Sequence, residues 1–147
     1  SATGIALGME TLDLRLSRSQ HNAMQLATFL DNHPKVSKVF YTGLADHPQH
    51  FISREYLNDG YGAILSFDLI DGADPVAFLN EMKLVICATH LGDNRTLALP
   101  VAPTIYFENT AEERELMGIS DTMLRISVGI EDTQDLIADF DTALNTI

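Results

Sequence analysis

MLRISVG, residues 123–129, alternates apolar and polar side chains up to a glycine. Alternation with a period of two is typical of a β-strand, because successive side chains point to opposite faces of a sheet. The run divides into one apolar face and one mixed face: Leu124, Ile126 and Val128 on the first, and Met123, Arg125 and Ser127 on the second. The segment therefore predicts a strand of a small sheet with helices packed on it.

Three further strands are predicted upstream, from runs rich in strand-forming residues, at 36–41, 63–69 and 85–88. Asn58-Asp59-Gly60 predicts a turn, and the aperiodic residues 89–109 predict the longest loop, where functional residues are often found.

Helices are predicted between the strands and after the last one. They cover residues 48–57 (with Pro48 near the first turn), 75–83, 110–118 and 134–145. Their starting signals are Asp74 before Pro75, the capping-box pattern Thr110-x-x-Glu113, and Asp132. The order predicts an α+β fold with a four-stranded, mostly antiparallel sheet covered by helices.

The N-terminal segment predicts one long helix, because apolar residues recur at helical spacing from residue 4 to residue 32, before Pro34. Such a helix of ~28 residues would be ~42 Å long, against an average of ~11–12 residues. It starts almost at residue 1, with no leader segment and no initiator Met. We therefore expect residues 1–32 to link two domains and residues 33–147 to form one of them.

Composition excludes several classes of function. The 147 residues are 46% hydrophobic, which is typical of a globular chain, and 21 acidic against 9 basic residues give a formal net charge of -12. Nucleic-acid and anionic-membrane binders need basic surfaces, so both are disfavoured. No apolar run approaches the ~20 residues of a membrane span. A cytoplasmic chain is expected.

Arg125 is the first candidate for a functional residue, because a guanidinium on so apolar a strand must reach an anion or solvent. Its forked donors match a carboxylate in two parallel hydrogen bonds. The pattern alone leaves two interpretations open: a carboxylate clamp for a substrate, or an arginine on the solvated face of an edge strand.

His90 is the second candidate, in the run Thr89-His90-Leu91-Gly92-Asp93 after the third predicted strand. It could donate a hydrogen bond to a substrate or act as a base. The alternative is a loop histidine that bonds to nearby backbone.

Other reactive side chains predict structural roles. The single cysteine, Cys87, is expected to be a small buried hydrophobe. His47 and His50 have a spacing seen in metal sites but lack further ligands, so no metal is expected. Four aspartates near the last helix predict a helix cap and a solvated face: Asp132, Asp135, Asp139 and Asp141.

Six segments in register carry a family resemblance: GMETLDLRL at 8–16, Asn22-Ala23, YTGLxxHPxH at 41–50, GYGA at 60–63, HLGD at 90–93 and RISVGIED at 125–132. Together they resemble the C-terminal part of the trans-sulfuration family of pyridoxal-phosphate (PLP) enzymes, which includes cystathionine γ-synthase, cystathionine γ-lyase and methionine γ-lyase. The resemblance extends over nearly the whole chain.

The resemblance implies a fold-type I PLP enzyme that is a homotetramer. Residues 33–147 would be its C-terminal small domain, and the large PLP-binding domain would be absent from this chain. Lys35, Lys38 and Lys83 are then not the cofactor lysine. Implied substrates are a sulfur-containing amino acid or an activated homoserine, in β- or γ-elimination or replacement. The isolated chain is expected to be inactive.

Site residues follow from the same resemblance. Arg125 matches the arginine that binds the substrate α-carboxylate. His90 stands before Leu91 where the family usually has a serine that helps to hold that carboxylate. Thr104 matches a threonine near the active site, whereas Leu99 and Ile105 replace histidines that usually flank this segment. Two alternatives are a free-standing amino-acid-binding or regulatory module without catalysis and an oligomerisation domain.

Overall fold

The structure, a computed structural model, describes residues 1–58 and 60–147. The helices are α1 (Ala2–Met9), α2 (Leu12–Asp31), α3 (His50–Leu57), α4 (Pro75–Asn80), α5 (Val101–Thr104), α6 (Ala111–Leu116) and α7 (Thr133–Leu144). The strands are β1 (Val36–Phe40), β2 (Ile64–Leu69), β3 (Ile86–Cys87), β4 (Leu97–Pro100) and β5 (Met123–Ser127). The turn predicted at 58–60 includes Asp59, which lies outside the described residues.

One sheet contains all five of these strands, in the order β1-β2-β5-β4-β3. Neighbouring strands are antiparallel except β3 and β4, which are parallel. The α+β class and the mostly antiparallel sheet are confirmed, but the count of four strands was wrong. The missed strand, β4, lies inside the predicted loop 89–109. All four of its residues are buried, so it lacks the alternation that marks a half-exposed strand.

Strand β5 lies inside the sheet, between β2 and β4. Arg125 is paired with Ser66 on one side and with Leu99 on the other. The interpretation of Arg125 as a residue of an edge strand was therefore wrong.

Helices α2, α4 and α7 pack on the face of the sheet that carries Leu124 and Ile126. Phe67 of β2 is fully buried there, with ring centroids 6.0 Å from Phe78 and 6.2 Å from Phe140. The opposite face has only a small buried cluster around Leu99, Val101 and Met123. We call these the covered face and the open face.

The long N-terminal helix was predicted as one element, but the structure has two, separated at Glu10 and Thr11. α1 has no buried residue, and α2 is buried only from Ser19 onward, through Ala23, Leu26, Ala27 and Leu30. Without packing, a short helix is marginal, and two glycines in the first eight residues weaken it further. Periodicity predicted the helical state but not the interruption.

The helices predicted after β1 follow their signals closely, whereas α5 lies inside the predicted loop 89–109 and was not predicted. Asp74 and Asp132 accept hydrogen bonds as N-caps, and Thr110 forms the predicted capping box with Glu113. α4 ends at Asn80 rather than near residue 83, and α3 begins after Pro48, with Gln49 as its N-cap. Within the described residues, no helix is long and apolar enough to cross a membrane.

Candidate functional site

Arg125 projects from the open face and is half-buried. Its Nη2 donates a 2.9 Å hydrogen bond to the carbonyl oxygen of Thr89. Its Nε is buried and has no hydrogen-bond partner among residues 1–58 and 60–147, and no carboxylate in those ranges forms an ion pair with it. A guanidinium held at one nitrogen, with a second nitrogen unbonded, can still bind an anion.

The loop from Ala88 to Thr96, between β3 and β4, lies against the same face as Arg125. The amide of Gly92 donates a 2.9 Å hydrogen bond to Oγ of Ser127, the next residue of β5 on this face. Gly92 has a φ of +77°, a conformation that side chains other than glycine rarely adopt. The loop thereby brings Thr89, His90 and Leu91 beside Arg125.

His90 and Leu91 are both exposed in this loop. No hydrogen bond to His90 occurs in the part of the chain that the structure describes, so the alternative of a histidine bonded to nearby backbone finds no support. Its charge acts on the nearby Asp93. Side-chain hydrogen bonds from Arg95, a hydrogen bond from the Arg95 amide and, more weakly, the charge of His90 lower the pKa of Asp93 to about 2.

An open cleft of about 320 Å³ adjoins the site, between α2 and the β3–β4 loop. Arg15, Leu16 and Ser19 line it from the helix, whereas Leu91 and Asn94 line it from the loop. Ser127 forms part of its floor, two residues from Arg125 on the same strand face. Arg125 and His90 are not among the residues that line the cleft, which therefore lies next to the Arg125 site and not over it.

Thr104 lies at the end of α5, and its hydroxyl donates to the carbonyl of Pro100 within the same turn. No described contact joins it to Arg125. Their elements are neighbours: α5 packs against β5, and Leu99 of β4 pairs with Arg125. The structure therefore brings the loop that carries His90 and Leu91 to Arg125 through Thr89, and it brings Thr104 near β5 through the packing of α5.

A buried polar cluster that sequence reasoning missed lies where β5 ends. Asn22 is fully buried, and its side-chain amide donates to the carbonyls of Gly129 (3.1 Å) and Glu131 (2.9 Å). Its Oδ1 accepts from the hydroxyl of Thr133 at 2.7 Å. A Cβ on Gly129 would approach the Asn94 carbonyl oxygen to 2.3 Å, so only glycine fits. A buried asparagine on an apolar helix stripe was the one available signal.

Two predictions for single residues were wrong. Cys87 is exposed, because β3 is an edge strand paired only with β4. Asp139 does not belong to a solvated face: its carboxylate accepts the backbone N–H groups of Lys83, Leu84 and Val85 at 2.9, 3.0 and 3.2 Å. It anchors the segment that leads into β3.

The two loop histidines make local contacts. Nδ1 of His47 accepts the amide of Gln49, whereas Nδ1 of His50 lies 2.8 Å from the Thr42 carbonyl oxygen and its ring stacks on Tyr61. No group of three or more potential metal ligands occurs in the described ranges.

The lysines of the chain do not suit a PLP site at the cleft. Lys35 bonds to the carbonyl of Ile147, and Lys38 lies 4.7 Å from the ring centroid of Phe40 on β1. Lys83 is exposed before β3, and none of the three lines the cleft.

Comparison with known proteins gives a consistent result. The sequence profile of the Cys/Met metabolism PLP-dependent enzyme family matches residues 1–145. The chain is 42% identical over 138 residues to a homocysteine synthase of Schizosaccharomyces pombe, covering 93% of this chain and 32% of that protein. It is 40% identical over 144 residues to an L-methionine gamma-lyase of Fusobacterium nucleatum subsp. polymorphum, covering 97% and 36%.

A solved structure shows the same fold. Cystathionine gamma-lyase of Lactobacillus plantarum, crystallised with L-serine, superposes with a TM-score of 0.89 at 34% identity. The match covers 95% of this chain and 36% of that one. The chain thus spans about a third of the length of the relatives it matches.

Proposed function

Because this chain belongs to the Cys/Met metabolism family of PLP-dependent enzymes, we propose that it is the C-terminal domain of such an enzyme. The whole protein would be a C–S lyase or a sulfhydrylase that acts on a sulfur-containing amino acid or an activated homoserine. It would catalyse β- or γ-elimination or replacement as a cytoplasmic homotetramer. Residues 1–32 would lead into this domain, and residues 33–147 would form it.

Two features support the placement at the C-terminal end of a larger protein. The cofactor lysine must come from outside the cleft described above, which is consistent with a chain one third as long as its relatives. The apolar residues of α1 and the first turns of α2 are exposed: Ile5, Leu7, Met9, Leu12, Leu14 and Leu16. A helical segment with this many exposed apolar side chains is typical of an interface, and the large PLP-binding domain is the partner we propose for it.

The role we propose for the chain is to bind the substrate α-carboxylate through Arg125. The single observation that carries this role is the guanidinium held by Thr89 with Nε buried and unbonded. Thr89 occupies one guanidinium nitrogen, so the remaining donors can bind a carboxylate once the side chain turns to expose them. A buried donor that stays unbonded costs about 1–3 kcal/mol, which favours that change. His90 and Leu91 would contact the carboxylate end of the substrate. Thr104 would support the side of the site that β4 forms.

The chemistry divides between the two domains in this proposal. PLP, held by the large domain, would supply the electron sink for bond cleavage. Arg125 would fix one end of the substrate and so orient the bonds at its α-carbon. We expect the isolated chain to release neither ammonia nor a keto acid nor hydrogen sulfide from amino acids.

The test uses the whole open reading frame that contains residues 1–147. We expect Arg125→Met to raise KM for the amino-acid substrate by about 100-fold, since a charge-assisted bidentate pair of about 3 kcal/mol is lost. Arg125→Lys should recover only part of the affinity, because an ammonium cannot form the fork. The measurement is steady-state kinetics with the substrate and with its carboxamide.

Arg54→Met is the matched control, because Arg54 is an exposed arginine on α3. It should leave KM unchanged. The wild type should prefer the carboxylate over the carboxamide strongly, and Arg125→Met should lose most of that preference. An unchanged preference in Arg125→Met would contradict the carboxylate role. An open reading frame without a lysine-bearing α/β domain would instead favour a free-standing amino-acid-binding module.

A further inference from the structure

Thr96 is the last residue of the β3–β4 loop and is a fully buried polar residue. Its hydroxyl accepts a 2.9 Å hydrogen bond from the amide of Gly129 and donates a 2.7 Å hydrogen bond to the carboxylate of Glu131. The amide of Thr96 donates to the same carboxylate. We call Thr96, Gly129 and Glu131 the bracket. The hydroxyl and amide of Thr96, the amide of Gly129 and the carboxylate of Glu131 are all hydrogen-bonded within it.

The bracket joins two segments that carry the site. Thr96 ends the loop that contains Thr89, His90 and Leu91, and Gly129 lies just after β5, which carries Arg125. The Asn94 carbonyl accepts a 2.9 Å hydrogen bond from the Ile130 amide, so a second hydrogen bond joins the same two segments.

The bracket also has a fixed support in α2. Asn22 holds the carbonyls of Gly129 and Glu131, so the segment after β5 cannot shift without breaking buried hydrogen bonds. At the other end of the loop, the Thr89 carbonyl sets the position of the Arg125 guanidinium. The separation between that carbonyl and β5 is consequently determined by where the loop is held.

We propose that Thr96, with Glu131 as its acceptor, is a positioning residue for the carboxylate site at Arg125. This rests on the proposed function, because it presumes that Arg125 binds the substrate carboxylate. Neither side chain touches the substrate. Their effect is to hold the loop so that the guanidinium meets the carboxylate in its forked geometry, and small misplacements of a binding group can cost up to about 100-fold.

Thr96→Val tests the inference, since it removes the hydroxyl and keeps the shape of the side chain. In the whole open reading frame we expect KM to rise about tenfold with kcat changed by less than about twofold, because ground-state binding is lost. Thr96→Ser keeps the hydroxyl and should restore KM to near the wild-type value. Thermal midpoints are measured for each variant.

Thr122→Val is the matched control. Thr122 stands just before β5, at the end opposite to Gly129, and its hydroxyl donates to the Leu69 carbonyl at 3.1 Å. The same substitution there should lower the thermal midpoint but leave KM unchanged. A purely structural role for Thr96 would give the same result in both variants.

Arg125→Met, assayed in parallel, distinguishes the carboxylate-binding role of Arg125 from the positioning role of Thr96. If Arg125→Met leaves KM unchanged, the proposed function fails. If it raises KM while Thr96→Val does not, or if Thr96→Ser is as impaired as Thr96→Val, the positioning role is overturned and the proposed function stands. Should Thr96→Val fail to fold, Glu131→Gln replaces it: a raised KM supports the role, and an unchanged KM overturns it.

Discussion

The two faces of the sheet differ in what holds their side chains. On the covered face, Leu65, Phe67 and Leu69 of β2 are buried by three helices, and their contacts are apolar. On the open face, Ser66 and Asp68 of the same strand are only half-buried, and Arg125 is held by a loop carbonyl. The same alternation along one strand thus builds a core on one side and a site on the other.

The difference shows where stability and function lie. Apolar burial contributes about 25 cal/mol per Å² removed from water, so the covered face carries most of the folding free energy. The open face carries few such contacts and can hold a charged group with an unbonded nitrogen. Substitutions on the two faces should therefore differ in size and in kind.

The largest effect on stability is expected at Phe67. Phe67→Ala should lower the free energy of unfolding by about 3–5 kcal/mol, because it leaves a cavity between Phe78 and Phe140. On the open face of the same strand, Ile64 is 43% exposed, and Ile64→Ala should cost less than about 1.5 kcal/mol. Urea denaturation followed by circular dichroism measures both.

Equal losses at the two positions would contradict the assignment of a single main core. Phe67→Leu serves as a milder variant if Phe67→Ala does not fold, and it should still cost more than Ile64→Ala.

An intermediate effect is expected at Asp139, which ties helix α7 of the covered face to the segment that enters β3. Asp139→Asn should lower the free energy of unfolding by about 1–3 kcal/mol, because an amide nitrogen would face backbone N–H donors. Asp135→Asn, on the first turn of the same helix, should cost about 0.5 kcal/mol through the helix dipole alone. Chemical denaturation at neutral pH compares the two.

Amide hydrogen exchange localises the effect. The amides of Lys83, Leu84 and Val85 should lose protection in Asp139→Asn and keep it in Asp135→Asn. Protection that persists in Asp139→Asn would show that the carboxylate does not hold this segment.

The smallest effects concern the pKa values of two side chains, one of which is shifted by burial and the other by pairing with a cation. Burial and, more weakly, the charge of Tyr61 raise the pKa of Tyr41 to about 12, whereas pairing with Arg95 lowers the pKa of Asp93 to about 2. The Tyr41 contribution to stability is present below pH ~10 and is lost as pH rises through about 12. The Asp93 contribution is present above pH ~3.9 and is lost as pH falls through about 2.

The pKa values of these two residues should respond differently to salt. Adding ~1 M NaCl should move the pKa of the solvent-accessible Asp93 carboxylate toward ~3.9 and leave that of Tyr41 unchanged, because salt screens solvent-accessible charges and does not alter burial. Carboxyl NMR shifts report Asp93, and ultraviolet absorbance reports the tyrosines. Arg95→Met should abolish the salt response of Asp93, and an Asp93 pKa that ignores both changes would refute the pairing.

Local patterns were sufficient for much of the fold. The alternation at 123–129 predicted β5, and Asp74, Thr110 and Asp132 each marked a helix start, because capping depends on residues within one turn. The same patterns failed at β4, whose burial on both faces removes alternation, and at Glu10 and Thr11, where no core supports the helix.

For the candidate site too, some features depend on the local sequence and others depend on the tertiary structure. The sequence by itself determined the α+β class, the family resemblance and the choice of Arg125, because all three depend on residue type and spacing. Only the tertiary structure decided that β5 is internal, that Thr89 holds the guanidinium, that Cys87 is exposed and that Asp139 anchors a distant backbone segment. These contacts join residues that are 36 to 56 positions apart, and no local periodicity encodes which strands become neighbours.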